Sequence, residues 1–277
     1  MQPLVSAVWL KNCPASGEVV VLDATYYLPN EGTDPRALFL AGHIPGARFF
    51  DIDAVSDRST SLPHMLPAPE DFRAAVVALG VNSSSHVVAY DQRGIFSSAR
   101  LWWMFRVFGH ENVSVLDGGL PAWIEAGGAV ETGEPGPVIA GDFSAGFRPA
   151  MVRSLDDMQR KLSTGAEMVL DARAAGRFDG SVPEPRAGMR SGHIPGARSL
   201  PFTALMENGQ MLPAQTLQER FAAAGVGTGQ KFVTSCGSGV TAAVLTLGAV
   251  LAGLPEPALY DGSWSEWGSR QDTPIEV

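Results

Sequence analysis

The residues best suited to chemistry stand together in Cys236-Gly237-Ser238-Gly239-Val240-Thr241. A run of strand-forming residues, Lys231–Ser235, precedes them. An apolar run, Ala242–Ala252, follows with the length and content of a buried helix. The cysteine is therefore expected on a tight turn between a strand and a helix. Glycines at 237 and 239 let that turn bend sharply and let its backbone N–H groups point inward. Those groups, with the positive end of the following helix, favour an anion at the centre of the turn, and that anion is the Cys236 thiolate. A thiolate is a nucleophile. A cysteine kept only for packing needs neither glycine.

The turn has to be positioned by a sheet. In the second half, strands are expected at Glu167–Asp171, Lys231–Ser235 and Ala258–Asp261, and helices at Ser154–Leu162, Gln215–Ala224 and Val240–Leu251. Ser154 and Asp157 form a capping pair for the first of these helices. The first half reads the same way, with strands at Glu18–Asp23, His86–Asp91 and Val113–Asp117 and helices at Pro69–Leu79 and Ser97–Phe108. This alternation predicts an α/β fold in each half, a mostly parallel sheet flanked by helices.

The halves are copies. Gly42–Arg48, reading Gly-His-Ile-Pro-Gly-Ala-Arg, recurs unchanged as Gly192–Arg198. Val21–Ala24 recurs as Val169–Ala172, and Asp117–Trp123 recurs in outline as Asp261–Trp267. Three ordered matches at nearly one offset mean duplication of a whole domain, not a short solenoid unit. A Gly- and Pro-rich stretch, 127–137, marks the linker, so the domains are expected at 1–135 and 146–277. His43 and His193 are shared by both halves and are read as structural, in a tight turn that ends at a strand. The repeat aligns Asp91 with Cys236, and Gln92-Arg93-Gly94 replaces the Gly-Ser-Gly that follows the cysteine. The first half is therefore expected to lack both a nucleophile and an N–H cradle, and to be catalytically inactive.

Composition narrows the partners. Lys+Arg 20 against Asp+Glu 29 gives a net charge of -9, which argues against nonspecific binding to nucleic acid or to an anionic membrane. No apolar run reaches the roughly 18 residues of a membrane span, and the best candidate, Val240 to Leu254, is too short. The N-terminal stretch lacks the charged and apolar regions of a signal peptide. The two cysteines, Cys13 and Cys236, are read as free thiols, which suits a reducing compartment, and a cytoplasmic location is expected.

Cys-Gly-Ser-Gly-Val-Thr-Ala, within this duplicated plan, resembles the active-site loop of the 3-mercaptopyruvate sulfurtransferases, a tandem-domain group of the rhodanese superfamily. The resemblance covers nearly the whole chain. It implies two rhodanese-like domains, the N-terminal one inactive and the C-terminal one catalytic. It implies a Cys236 persulfide that carries sulfur from 3-mercaptopyruvate to a thioredoxin or other thiol acceptor, or to cyanide, with release of pyruvate. Hydrogen sulfide then comes from the thiol acceptors. Neither a cofactor nor a metal is expected. A keto-acid donor brings a carboxylate, which the planar fork of arginine binds in two-point fashion. Arg177 and Arg186 match the spacing of the family's substrate-binding arginines, with Arg190 and Arg198 as further neighbours. The loop residues Gly237, Gly239, Val240 and Thr241 complete the implied substrate site. The resemblance also maps a proton relay onto Ser238, His64 and Asp53, since the enolate that leaves must gain a proton.

Three other functions compete. Thiosulfate-specific rhodaneses typically carry basic residues just after the cysteine, whereas Gly237, Ser238 and Gly239 are uncharged, yet thiosulfate sulfur transfer is the principal alternative. A cysteine phosphatase of this fold needs arginine where Ala242 stands. A non-catalytic interaction or sulfur-carrier module does not need the intact Cys236 loop.

Overall fold

The computed structural model describes residues 2–13, 18–165 and 167–277. The chain divides into two compact units. The first comprises Met1–Asp57, Leu66–Arg148 and Asn208–Met211, and the second comprises Arg58–Met65, Pro149–Glu207 and Leu212–Val277. Neither is one continuous stretch, because the short segment carrying His64 belongs to the second unit.

The first unit is a five-stranded sheet of β1 (Leu4–Val5), β2 (Val19–Asp23), β3 (Arg48–Phe49), β4 (His86–Tyr90) and β5 (Val113–Leu116). The strands lie in the order β1-β5-β4-β2-β3, every pair parallel. The helices are α1 (Ala7–Lys11), α2 (Pro35–Ala41), α3 (Pro69–Ala78), α4 (Ser98–Val107) and α5 (Gly119–Glu125). The second unit repeats the plan with β6 (Val152–Arg153), β7 (Met168–Asp171) and β8 (Arg198–Ser199), then β11 (Phe232–Ser235) and β12 (Ala258–Tyr260), in the order β6-β12-β11-β7-β8, again all parallel. Its helices are α6 (Leu155–Thr164), α7 (Ala175–Phe178), α8 (Ala214–Ala223), α9 (Ala242–Leu251) and α10 (Ser263–Trp267). Two short strands, β9 (Met206–Glu207) and β10 (Gln210–Met211), fall between β8 and β11 in the chain.

The long strands and helices are those expected from the pattern of apolar residues. β4 is buried at every position, as befits a parallel strand covered on both faces. Ser154 and Asp157 make a complete capping box on α6. α9 begins at Ala242 rather than Val240, because Gly239 takes a left-handed φ of 78° and the chain turns before it can coil. The two-residue edge strands and the short helices were not foreseen, since pieces of that length carry no periodicity. Among the described residues no helix is long and apolar enough to cross a membrane.

His43 and His193 do identical work in the two units. The Nδ1–H of His43 donates to the Phe39 carbonyl at 2.8 Å while its ring stacks on Phe39. His193 donates to the Phe178 carbonyl at 2.9 Å and stacks on Phe178.

The turn after β4 departs from expectation. Asp91 is completely buried, and its carboxylate sits in a cradle of N–H donors. One oxygen accepts from Arg93 N–H at 2.9 Å. The other accepts from the N–H groups of Phe96, Ser97 and Ser98 at 2.8, 3.0 and 2.9 Å, and from the Ser98 hydroxyl at 2.8 Å. The first unit therefore does possess an N–H cradle, filled by its own side chain. Ser97 and Ser98 are the cap and first residue of α4, where N–H groups have no partner within the helix, and Arg93 and Phe96 belong to the turn before it, so the cradle follows from strand-then-helix geometry and does not require Gly-Ser-Gly. This turn is one residue longer than its counterpart between β11 and α9.

That cradle makes a prediction. In an Asp91→Cys, Cys13→Ala, Cys236→Ser protein the single thiol occupies the cradle and titrates below the free-cysteine value of about 8.5, by roughly one unit or more. Ultraviolet thiolate absorbance against pH measures it. A midpoint at or above the free value means that the donors do not hold a sulfur anion.

Candidate active site

In an open parallel sheet, ligands bind beyond the carboxyl ends of the strands, where the strand order reverses direction. In the second unit the chain runs outward from β7 to β8, then returns to β11 and runs the other way to β12. The reversal lies between β7 and β11, and their last residues, Asp171 and Ser235, are register partners. Cys236 is the next residue after β11.

Cys236 is 2% exposed. Its turn is tied down from one side by the first three residues of α10. Cys236 N–H donates to the Ser263 hydroxyl oxygen at 3.2 Å, and that hydroxyl donates to the Tyr260 carbonyl at 2.8 Å. The Cys236 carbonyl accepts from Trp264 N–H at 3.0 Å, and the Gly237 carbonyl accepts from Ser265 N–H at 2.8 Å and the Ser265 hydroxyl at 2.7 Å. A trans peptide places its C=O and N–H on opposite sides. Binding the carbonyls of Cys236 and Gly237 to α10 therefore turns the N–H groups of Gly237 and Ser238 away from it. Ser263 holds a left-handed φ of 49°, a conformation rarely seen outside glycine and sustained only where the surroundings enforce it.

Ser238 is buried, and its hydroxyl lies 3.0 Å from Nδ1 of His64. His64 is buried as well and takes a φ of 61°. The structure thus brings together two members of the relay mapped from sequence. Asp53, the third, lies in the turn opened by Asp51, whose carboxylate accepts the Asp53 N–H at 2.9 Å.

Arg177, on α7, lies against the loop. A Cβ added to Gly237 would come within 2.8 Å of Arg177 Nη2, so the glycine is what lets the guanidinium approach. Arg177 is anchored by Glu184, which accepts from Nε at 3.2 Å and Nη2 at 2.5 Å. Arg186 stands in a half-buried bend just beyond Glu184. Arg190 faces elsewhere, donating to the Trp267 and Gly268 carbonyls and the Thr273 hydroxyl oxygen, and Arg198 is exposed on β8.

Behind Arg177 lies a second arginine that sequence reasoning missed. Arg173 is fully buried. Its guanidinium donates to both Asp171 carboxylate oxygens, to Glu184 Oε1 at 2.7 Å and to the Gly192 carbonyl at 2.8 Å, with its face on the Trp264 ring. Burial pulls its pKa down, but the Asp171 and Glu184 carboxylates more than offset this, so the group stays charged. Removing it would leave the buried Asp171 carboxylate without its counter-charge, at a cost of about 3–5 kcal/mol. The repeat held a signal for it. Val-Leu-Asp-Ala is followed by Thr25 in the first half and by Arg173 in the second. In the first unit the equivalent Asp23 accepts instead from the N–H and hydroxyl of Thr25 and from the Gln92 side-chain amide, so an arginine at this strand end is special to the half that carries the cysteine.

Cys13 and Cys236 are both free thiols. Among the described residues no group of three or more His, Cys, Asp or Glu could hold a metal. The arrangement is a buried thiol on a tight turn that also carries a hydroxyl–imidazole pair, at Ser238 and His64, and has an anchored guanidinium, Arg177, against its glycine.

Known proteins share this plan. A rhodanese-like domain is matched at residues 6–126 and again at 154–270. The chain is similar to a 3-mercaptopyruvate sulfurtransferase of Escherichia coli (strain K12), 43% identical over 98% of this chain and 97% of that one. It is also 41% identical to a thiosulfate sulfurtransferase of Gallus gallus, over 99% of this chain and 96% of that one. The crystal structure of SseA from Escherichia coli, described as having the rhodanese fold of 3-mercaptopyruvate sulfotransferases, superposes with a TM-score of 0.87 at 40% identity, covering 96% of this chain and 100% of that one. With two rhodanese-like domains and relatives this similar over nearly their whole length, the chain belongs to the rhodanese family and, within it, to the tandem-domain sulfurtransferases.

Proposed function

We propose that this sulfurtransferase takes its sulfur from 3-mercaptopyruvate. Overall identity does not decide the donor, because relatives named for mercaptopyruvate and for thiosulfate are about equally similar to the chain. The loop supports the choice: Gly237, Ser238 and Gly239 bring no cationic side chain, and the Arg177 guanidinium, anchored by Glu184, lies against Gly237. That arrangement suits one carboxylate better than a compact dianion.

In this reading Arg177 and Arg186 bind the donor's carboxylate, and the backbone of Gly237, Gly239, Val240 and Thr241 lines the site. The Cys236 thiolate attacks the donor's thiol sulfur. The carbon–sulfur bond breaks, its electron pair passes into the pyruvate enolate, and Cys236 becomes a persulfide. The enolate carbon takes a proton delivered through Ser238 and His64, with Asp53 as the third group of the relay. An acceptor thiolate, of thioredoxin or a small thiol, or cyanide, then attacks the outer sulfur and restores Cys236. A persulfidated thiol acceptor that meets a second thiol gives a disulfide and hydrogen sulfide. Two free thiols suit a reducing compartment, and we place the protein in the cytoplasm.

Two results are expected. Cys236→Ser stays folded and loses sulfur transfer, and mass spectrometry of the wild-type protein after exposure to mercaptopyruvate shows a gain of one sulfur on the peptide containing Cys236. Appreciable turnover by the serine variant refutes the persulfide.

Arg177→Ala and Arg186→Ala each lose a charge-assisted bond worth about 1.5–3 kcal/mol, which lowers kcat/KM for mercaptopyruvate by about ten- to a few-hundred-fold. Lysine in either place restores only part of the loss, since an ammonium lacks the planar fork. Side-by-side kinetics with the two donors give the test. A wild-type enzyme that prefers thiosulfate overturns the donor assignment.

A further inference from the structure

We propose that Glu184 is a positioning residue for the sulfur donor, acting through Arg177 and held in place by Arg173. The inference rests on the reading of Arg177 as the anchor of the donor's carboxylate, and it identifies what aims that anchor.

An arginine side chain has four rotatable bonds, and an unrestrained guanidinium sweeps a wide volume. The side chain of Arg177 is about one-fifth exposed, at 21%, so packing alone does not immobilise it. Glu184 does. Its side chain is 1% exposed, and its two oxygens engage Nε and Nη2 of Arg177 together, the two-point geometry that fixes the plane of a guanidinium. That plane brings Nη2 into the space that a Cβ on Gly237 would need. Because Glu184 takes the Nε–H and one N–H of Nη2, the edge offered to a donor oxygen is the one formed by Nη1 and the second N–H of Nη2.

Glu184 is itself fixed. Its Oε1 also accepts from Arg173 Nη1 at 2.7 Å. Arg173 cannot follow a moving carboxylate, being locked to Asp171 at the end of β7, to the Gly192 carbonyl and against the Trp264 ring. Trp264 in turn donates its backbone N–H to the Cys236 carbonyl. The donor anchor and the nucleophile's turn are thereby referenced to one rigid group. The charges also close: Asp171 and Glu184 balance Arg173 and Arg177, so a bound carboxylate gains from the direction of Arg177's donors more than from surplus positive charge.

The experiment is a double-mutant cycle of Glu184→Gln and Arg177→Ala with mercaptopyruvate as the varied substrate. A parallel assay measures Cys236 alkylation by iodoacetamide in a Cys13→Ala background. Iodoacetamide is neutral and needs no carboxylate anchor, so it reports whether the turn itself is intact. Glu184→Gln is expected to lower kcat/KM by about tenfold, chiefly through KM, and to leave alkylation within about twofold of wild type. The double variant is expected to be no worse than Arg177→Ala alone, because a positioning residue has nothing left to position. Losses that multiply, or alkylation that falls in step with turnover, overturn the proposal. A Glu184→Gln enzyme at the wild-type rate, while Arg177→Ala is impaired, overturns this inference and leaves the donor assignment standing. Arg177→Ala at the wild-type rate sinks the donor assignment and this inference with it. Should Glu184→Gln fail to fold, Glu184→Asp keeps the charge beside Arg173 while retracting it from Arg177, and the same non-additivity is required of it.

Discussion

A negative atom buried at the turn from a central strand into a buried helix must be met by hydrogen-bond donors, and the turn after β4 is built around that demand. In the first unit the demand is filled by Asp91, whose carboxylate gathers four N–H groups and a hydroxyl. An unpaired carboxylate in such a place would cost several kcal/mol. The helix start supplies its partners at no expense to other hydrogen bonds. In the second unit sulfur takes the place of the carboxylate, the turn shortens by one residue, and α10 holds the Cys236 and Gly237 carbonyls to one side. The divergence is small in chain length and large in chemistry.

Two copies of one sheet show which parts of the design are architectural. The strand order, the parallel pairing and the stacked histidine with its carbonyl partner are identical in both units. The differences gather where the strand order reverses: Thr25 against Arg173 after one strand, Asp91 against Cys236 after its neighbour. Those are the two strand ends that face the crevice of an open α/β sheet. Changes there alter what is bound while leaving the cores alone.

The charged cluster of Asp171, Arg173, Arg177 and Glu184 adds rigidity. Three of its members have side chains that are almost wholly buried. A buried ion pair is weak evidence for stability, since desolvation offsets much of its attraction. Its value here is geometric. It carries the rigidity of the carboxyl end of β7 outward, through a carboxylate, to a guanidinium beside the Cys236 turn.

The sequence alone determined the duplication, the parallel α/β class and the strand–turn–helix setting of Cys236, because each rests on local composition or on comparing the chain with itself. Lys231–Ser235 and Ala242–Ala252 announce a strand and a helix whatever surrounds them. Tertiary structure alone decided which groups share space with that turn. His64 meets Ser238 across a long stretch of chain. Glu184 reads in sequence as one more acidic residue in a Pro-rich loop, yet it is buried between two arginines. The Asp91 cradle went unseen because its donors are main-chain N–H groups, which every residue but proline possesses. Side-chain identity marks where a nucleophile sits, whereas the direction of a backbone amide is set only when the chain folds around it.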